Sequence, residues 1–331
     1  TQIDIRNAAS PTAEVTLWMW SPEAPPMDIR FYHDGLGQDI EGPLDIANIE
    51  GIESSVPDHP YEKQLDALEV TYEEYEAGFG TPHGVARSTD IRLKIVDSTP
   101  SREELSGLAA AISLPPQLVP RPVDLLRARV FGTIWDLPNR SSEPLAQIED
   151  QIDWLIQYYK SQVEQHHWYG FWDYGDVMHT YDSDRHVWRY DIGGYAWDNS
   201  EVSTDLMLWY TYLRSGNADA FRLAEAMNRH NRDVDIYHLG RFAGLGTRHN
   251  VQHWGCSAKQ LRVSTCANRR FHYYLTTDER TGDVLQEMAE ADKTIATLDA
   301  HRKVYRMGRN PEFAEASKSE LCRISSGTDY G

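Results

Sequence analysis

Two stretches of this sequence hold most of the side chains capable of chemistry. The first, residues 168–199, reads WYGFWDYGDVMHTYDSDRHVWRYDIGGYAWDN. Aromatic rings stack on the C–H faces of sugars, and the interleaved Asp, Asn, Arg and His suit hydroxyls and carboxylates. A long connection with its own composition is commonly functional. Trp172, Trp188 and Trp197 are therefore expected to line a cleft, with Arg185, Arg189, Tyr190, Asp198 and Asn199 beside them, while Trp154 and Trp209 read as core.

The second stretch, residues 238–259, reads HLGRFAGLGTRHNVQHWGCSAK and lies within an acid-free run from Ile236 to Thr277. An arginine fork such as that of Arg248 suits a uronate carboxylate, and a histidine such as His249 or His253 suits proton transfer. Lys259 and Asn250 add donors nearby, and Arg241 and Trp254 flank them. No metal is expected. His249 and His253 have ligand spacing, but the Glu of the zinc-protease helix is missing and the neighbours are cations. Asp182-Ser-Asp184 lacks the glycine and terminal Glu of a calcium loop. Hydrolysis needs two placed carboxylates. Asp173, Asp176, Asp191, Asp198 and Glu201 keep that alternative open, as does a non-catalytic sugar-binding fragment. No nucleotide, dinucleotide or esterase motif occurs.

Charge narrows the partner. The net charge is −19, of which −15 falls on residues 1–160. Such a surface repels a phosphate backbone, which argues against nucleic acid. No apolar run approaches the ~20 residues that cross a bilayer. Three cysteines, none in a C-x-x-C pair, form neither a disulfide framework nor a cysteine zinc site.

The elements that must position these stretches divide the chain. Residues 1–100 read as part of a β-sandwich, with strands at 14–20, 27–32, 68–72 and 90–96. A helix opens at Ser101 with Glu104 completing a capping box, and Pro115, Pro116, Pro120 and Pro122 make a stiff linker. From residue 141 the apolar period is helical, with helices expected near 142–163, 200–214, 217–230, 256–275, 278–300 and 311–323. Tyr212-Leu-Arg-Ser-Gly and Tyr273-Tyr-Leu-Thr-Thr start a weak repeat 61 residues apart. Repeated helical hairpins imply a stacked or ring-closed array, so the fold class is mixed α and β, a β-sandwich segment followed by an incomplete (α/α) toroid.

The strings 168–201 and 238–266 resemble the exo-rhamnogalacturonan lyases of polysaccharide lyase family 26, and Gly80–Arg87 and Val130–Gly132 resemble that family's passage from sandwich to helices. The resemblance implies a β domain, an (α/α) barrel and a further β domain, a secreted or periplasmic location, and β-elimination on an acidic pectic polysaccharide, with no cofactor. On that chemistry Arg248, with Asn250 or Lys259, neutralises the galacturonate carboxylate. His249 or His253 removes the C5 proton, and Tyr181 or His179 protonates the leaving oxygen.

Overall fold

The computed structural model describes residues 2–6, 14–18, 83–179, 181–188, 197–200, 202–249, 266–295 and 297. The expected strands at 27–32 and 68–72 and the expected helix at 311–323 lie outside them. At the front, β1 (Gln2–Arg6) pairs antiparallel with β2 (Glu14–Trp18), Ile3 opposite Leu17. The strand expected at 90–96 is absent, because Ile91, Leu93 and Ile95 point into solvent with no described strand beside them.

Helix α1 (Arg102–Ser113) starts as its sequence dictates, Ser101 accepting from the Glu104 N–H and Glu104 accepting from the Ser101 N–H. The proline-rich stretch after it is not all linker. Pro122 opens α2 (Pro122–Ala128), where its missing N–H costs nothing and its fixed φ suits a first turn. The longest helix, α3 (Glu143–His166), buries Ile156 and half-buries Ile152, Tyr159 and Val163. Trp154, expected in the core, is 55% exposed on its outer face and stacks on Tyr158 at 4.9 Å.

The repeat is structural. α4 (Thr204–Ser215) and α5 (Ala218–Asp233) form one hairpin, and α6 (Cys266–Thr276) and α7 (Glu279–Ala289) form another, followed by the short α8 (Asp292–Ile295). Each second helix is N-capped by a side chain at the same repeat position: Asn217 accepts from Asp219 and Ala220, and Asp278 from Thr281. The residue before each cap is left-handed, Gly216 at φ 73° and Thr277 at φ 56°. A β-branched residue there is strained by about 1–3 kcal/mol. Thr277→Gly is therefore expected to stabilise the chain by about 1 kcal/mol after the glycine's larger unfolded-state entropy is subtracted. An unchanged or lower urea midpoint would contradict this.

The helices share one apolar core with the aromatic segment. Trp209, Tyr212 and Leu213 of α4, Phe221, Ala224 and Met227 of α5, Ile156 of α3 and Phe271 of α6 pack with Trp168, Val177, Met178, Trp188 and Trp197. Asp205 of α4 ties the layers, accepting from Asn268 of α6 at 2.9 Å and facing Asn228 of α5 at 3.3 Å. Burial pushes its carboxyl up, to about 6. No described helix is long and apolar enough to cross a membrane.

Candidate functional site

The site is assembled by a turn that follows α5. Residues 234–249 fold back on themselves in a short antiparallel ladder. Thr247 N–H donates to Asp235 O at 2.9 Å, Tyr237 N–H to Leu245 O at 3.0 Å, and Gly244 N–H to Tyr237 O at 2.7 Å. The register sets Asp235, the last acid before the acid-free run, beside His249. Residues 84–88 run alongside, held by His238 N–H to Gly84 O at 2.7 Å, Ala86 N–H to Asp233 O at 2.9 Å and Ser88 N–H to Asp233 Oδ2 at 2.7 Å.

The aromatic segment locks into this turn. The His249 N–H donates to Asn199 Oδ1 at 3.0 Å, and the His249 Nδ1 stands 2.8 Å from the same oxygen. The Trp197 ring lies 5.5 Å from the His249 ring. From Trp197 the aromatic contacts run to Trp168 at 5.7 Å, on to Trp188 at 5.6 Å, and out to the exposed Tyr181 at 5.4 Å. The two stretches singled out by composition thus form a single unit.

At the junction lies a buried polar cluster. Asp176, His230, Asp235 and His249 are all within 1% of full burial. His249 Nδ1 is 3.2 Å from Asp235 Oδ1 and 3.9 Å from Asp176 Oδ2. His230 Nε2 is 3.3 Å from Asp235 Oδ1 and 3.6 Å from Asp176 Oδ2. On the other side of its ring, His249 Nε2 is 3.6 Å from Asp173 Oδ1. Burial by itself lowers the His249 pKa, but Asp173 and Asp235 at its two nitrogens and the Asp176 charge outweigh that and push it up to about 10. Burial raises the Asp176 carboxyl; in Asp235 the same penalty is overcome by His230 and His249, which hold it low.

Asp173 is a third exposed and connects the cluster to the surface. Its chain neighbours Gly170, Phe171 and Tyr174 line a pocket of about 300 Å³ together with Arg87, Asp90, Tyr169 and Arg229, with Ser88, Thr89 and Asp233 completing the wall. Arg87 donates to Tyr174 O at 3.2 Å and lies over the Tyr174 ring at 5.5 Å, and no carboxylate of the described residues forms an ion pair with it. Arg229 pairs with Asp90 at 2.7 Å, but Asp90 is 72% exposed. A pair so open contributes little and can be exchanged for another carboxylate.

The residues expected from sequence divide by burial. Trp188, Trp197, Asp198 and Asn199 are buried, as are Arg248 at 1% and His249 at 0% exposure. His179 and Trp172 are half-buried. Tyr181 is exposed, and so is Arg185, whose guanidinium is held by Asp182 at 2.7 Å. Arg241 is exposed with its guanidinium over Phe242 at 5.2 Å. His253, Lys259, Arg189, Tyr190, Asn250 and Trp254 lie outside the described residues. The acid-free run is therefore no single cationic face: Arg248, Arg269 and His272 turn inward, and Arg241 and Arg270 outward. Of the expected carboxylates, Asp176 and Asp198 are buried, only Asp173 is partly open, and Asp191 and Glu201 are outside the described residues. The sequence reading missed His230, Asp235 and the two pocket arginines. A signal for His230 lay in Asn228-Arg-His-Asn-Arg-Asp233, a wholly polar last stretch of α5 in which every residue but Arg229 is buried.

Comparison with known proteins covers nearly the whole chain. Residues 1–110 match the model of the PcRGLX-like protein central β-sandwich domain, and residues 115–331 that of the PcRGLX-like protein C-terminal α/α toroid domain. The uncharacterized protein YetA of Bacillus subtilis (strain 168) is 39% identical over 312 residues, which is 94% of this chain and 33% of YetA. The chain thus spans about a third of the curated relative it matches. The further β domain expected after the toroid does not fit these matches, in which the toroid is the C-terminal domain and the sandwich the central one. The chain belongs to the PcRGLX-like proteins, carrying a β-sandwich domain followed by an α/α toroid domain.

Proposed function

We propose that this chain is the sugar-handling part of a rhamnogalacturonan lyase that cleaves an acidic pectic polysaccharide by β-elimination at galacturonate. The observation that carries the reading is the pocket in which Arg87 and Arg229 stand among Tyr169, Phe171 and Tyr174. Two guanidinium groups suit a uronate carboxylate, and three rings suit the apolar faces of neighbouring sugars.

Elimination breaks the C5–H and C4–O4 bonds of the galacturonate, passes the C5 proton to a base, forms a C4=C5 double bond, and delivers a proton from an acid to the bridging oxygen, which departs on C1 of the rhamnose. The C5 proton is weakly acidic while the adjacent carboxylate is charged. Cations placed on that carboxylate lower the barrier by stabilising the charge that builds up. Arg87, which no carboxylate of the described residues pairs with, fits that task, with Arg229 released from Asp90 as its companion. H5 and O4 lie on opposite faces of the ring, so base and acid come from opposite walls. Tyr174 and Tyr169 of the pocket wall are candidates for one role, and His253 and Lys259, which lie outside the described residues, stay candidates for the other on their chemistry alone. Tyr181, His179, Arg185, Arg189 and Asn250 bind flanking sugars. Arg248, His249, Trp197 and Asn199 hold the walls together from within. A plant-wall polymer as substrate places the work outside the cell.

The test is calorimetric binding of a rhamnogalacturonan oligosaccharide to the wild-type chain and to Arg87→Ala. Removing one charge-assisted contact of about 1.5–3 kcal/mol should weaken binding ~10–100-fold. A neutral oligosaccharide of equal length should bind both proteins alike. Equal affinity of the two proteins for the acidic sugar would overturn the assignment of the pocket.

A further inference from the structure

The interior cluster is more than a support for the walls. We propose that Asp176, His230, Asp235 and His249 form a binding site for one divalent metal ion of the zinc class. Each residue presents one ligand atom, and the four atoms lie within 4.8 Å of one another. Ligands held tetrahedrally at about 2.0–2.1 Å from such an ion stand roughly 3.3 Å apart. The four histidine–carboxylate separations are 3.2, 3.3, 3.6 and 3.9 Å. Two carboxylates balance the charge of a dication, and two imidazoles complete the set.

A second, independent feature points to the same centre. His230 is fully buried, and among the described residues neither of its ring nitrogens meets a hydrogen-bond partner of good geometry; the same holds for Asp235 Oδ2. Buried polar atoms are rarely left so. His230 Nε2 stands between the two carboxylates, 3.3 Å from Asp235 Oδ1 and 3.6 Å from Asp176 Oδ2, a spacing that ligands around a shared ion adopt.

The surroundings hold these ligands as metal sites hold theirs. Asp173 Oδ1 lies 3.6 Å from the far nitrogen of His249. Asp176 accepts from the Val177 N–H at 2.8 Å and the Asn199 N–H at 3.0 Å. Asn199 Oδ1 accepts from the His249 N–H at 3.0 Å and stands 2.8 Å from His249 Nδ1, fixing that ring from the aromatic segment. The ion would join the aromatic segment, α5 and the turn after it, three parts of the chain distant in sequence. The inference stands on this geometry and not on the proposed activity.

The experiment uses the full chain, treated with chelator and dialysed, then titrated with Co²⁺ and with Zn²⁺. One equivalent of Co²⁺ should be taken up with the visible ligand-field bands of a four- or five-coordinate nitrogen–oxygen site, and Zn²⁺ should displace it. The thermal midpoint of the stripped protein should rise several degrees with Zn²⁺. His230→Gln and Asp235→Asn, checked for folding by circular dichroism, should lose the bands. Because buried variants can misfold, the wild-type spectrum decides. A folded wild-type chain that takes up neither ion would overturn the proposal, and so would bands that persist in a folded double variant. Neither result depends on whether the chain turns over a polysaccharide.

Discussion

Gly175→Ala is expected to destabilise the chain by about 3 kcal/mol or more. Two costs add. Gly175 has φ +104°, a conformation that a residue with a side chain occupies at about 1–3 kcal/mol. Its Cβ would also stand 2.3 Å from Ala226 O, 2.8 Å from Ala226 C and 2.9 Å from His230 Cβ. The first two are backbone atoms of α5 and cannot rotate aside, so overpacking adds about 1–3 kcal/mol. The neighbours matter as much as the amount, since Asp176 follows Gly175 and His230 is one of the obstacles. Gly107→Ala is the control. It sits inside exposed α1 with nothing within 4 Å of the added carbon, so the same substitution there should stabilise by up to about 1 kcal/mol. Urea unfolding of the two variants should move in opposite directions, and a Gly175→Ala protein as stable as wild type would contradict the packing described.

Removing Glu149 should cost about 3–5 kcal/mol. Glu149 of α3 receives both terminal nitrogens of Arg214 from the last turn of α4, at 2.7 and 2.6 Å, and the Asn139 N–H at 2.9 Å. Only 9% of its side chain and 18% of the arginine's remain exposed. Glu149→Ala leaves the guanidinium buried, donating to the Asp136 carbonyl at 3.0 Å but with no carboxylate among the described residues to pair with it. Replacing both residues by apolar ones of similar size should recover much of the loss, because the pair's attraction largely offsets its desolvation. Acid should act like the single substitution. The hydrogen bond from Arg214, followed by burial in the opposite sense, holds the Glu149 carboxyl below its ordinary value. The stabilisation is therefore complete above the unfolded glutamate pKa of about 4.3 and is lost as pH falls through the lower folded value. The gap in urea midpoint between wild type and Glu149→Gln should be constant from neutral pH to about 5 and close in stronger acid. A gap that never narrows as the pH falls to the point of acid unfolding would contradict the pairing.

Local signals carried much of the fold. Ser101 and Glu104 announced a cap that forms as written, and the repeat of 61 residues extends to the capping side chains Asn217 and Asp278. Where a local signal had two physical meanings, the reading went astray. Proline at 122 serves a first helical turn as readily as a linker, and the alternation at 90–96 makes a strand only with a partner beside it. Trp154 follows the apolar composition of α3 but not its buried face. The meeting of the aromatic segment with the turn at His249 was legible, since both strings are too unusual in composition to be ordinary connections. The cluster behind them was not. His230 and Asp235 become neighbours of Asp176 and His249 only through the ladder that sets Asp235 against Thr247, a tertiary pairing with no spacing in sequence to reveal it. The pocket arginines escaped notice for the same reason, Arg87 and Arg229 being separated by most of the toroid's first hairpins.

The central claim is that an acidic pectic polymer is cut by elimination. Rhamnogalacturonan should be incubated with the polypeptide that carries this chain, and the absorbance of the unsaturated uronate followed beside the count of new reducing ends. The account predicts that both rise together, one double bond for each bond cut. Reducing ends without the absorbance would mean hydrolysis, and saturable binding with neither signal would mean a sugar-binding module; either result would contradict it.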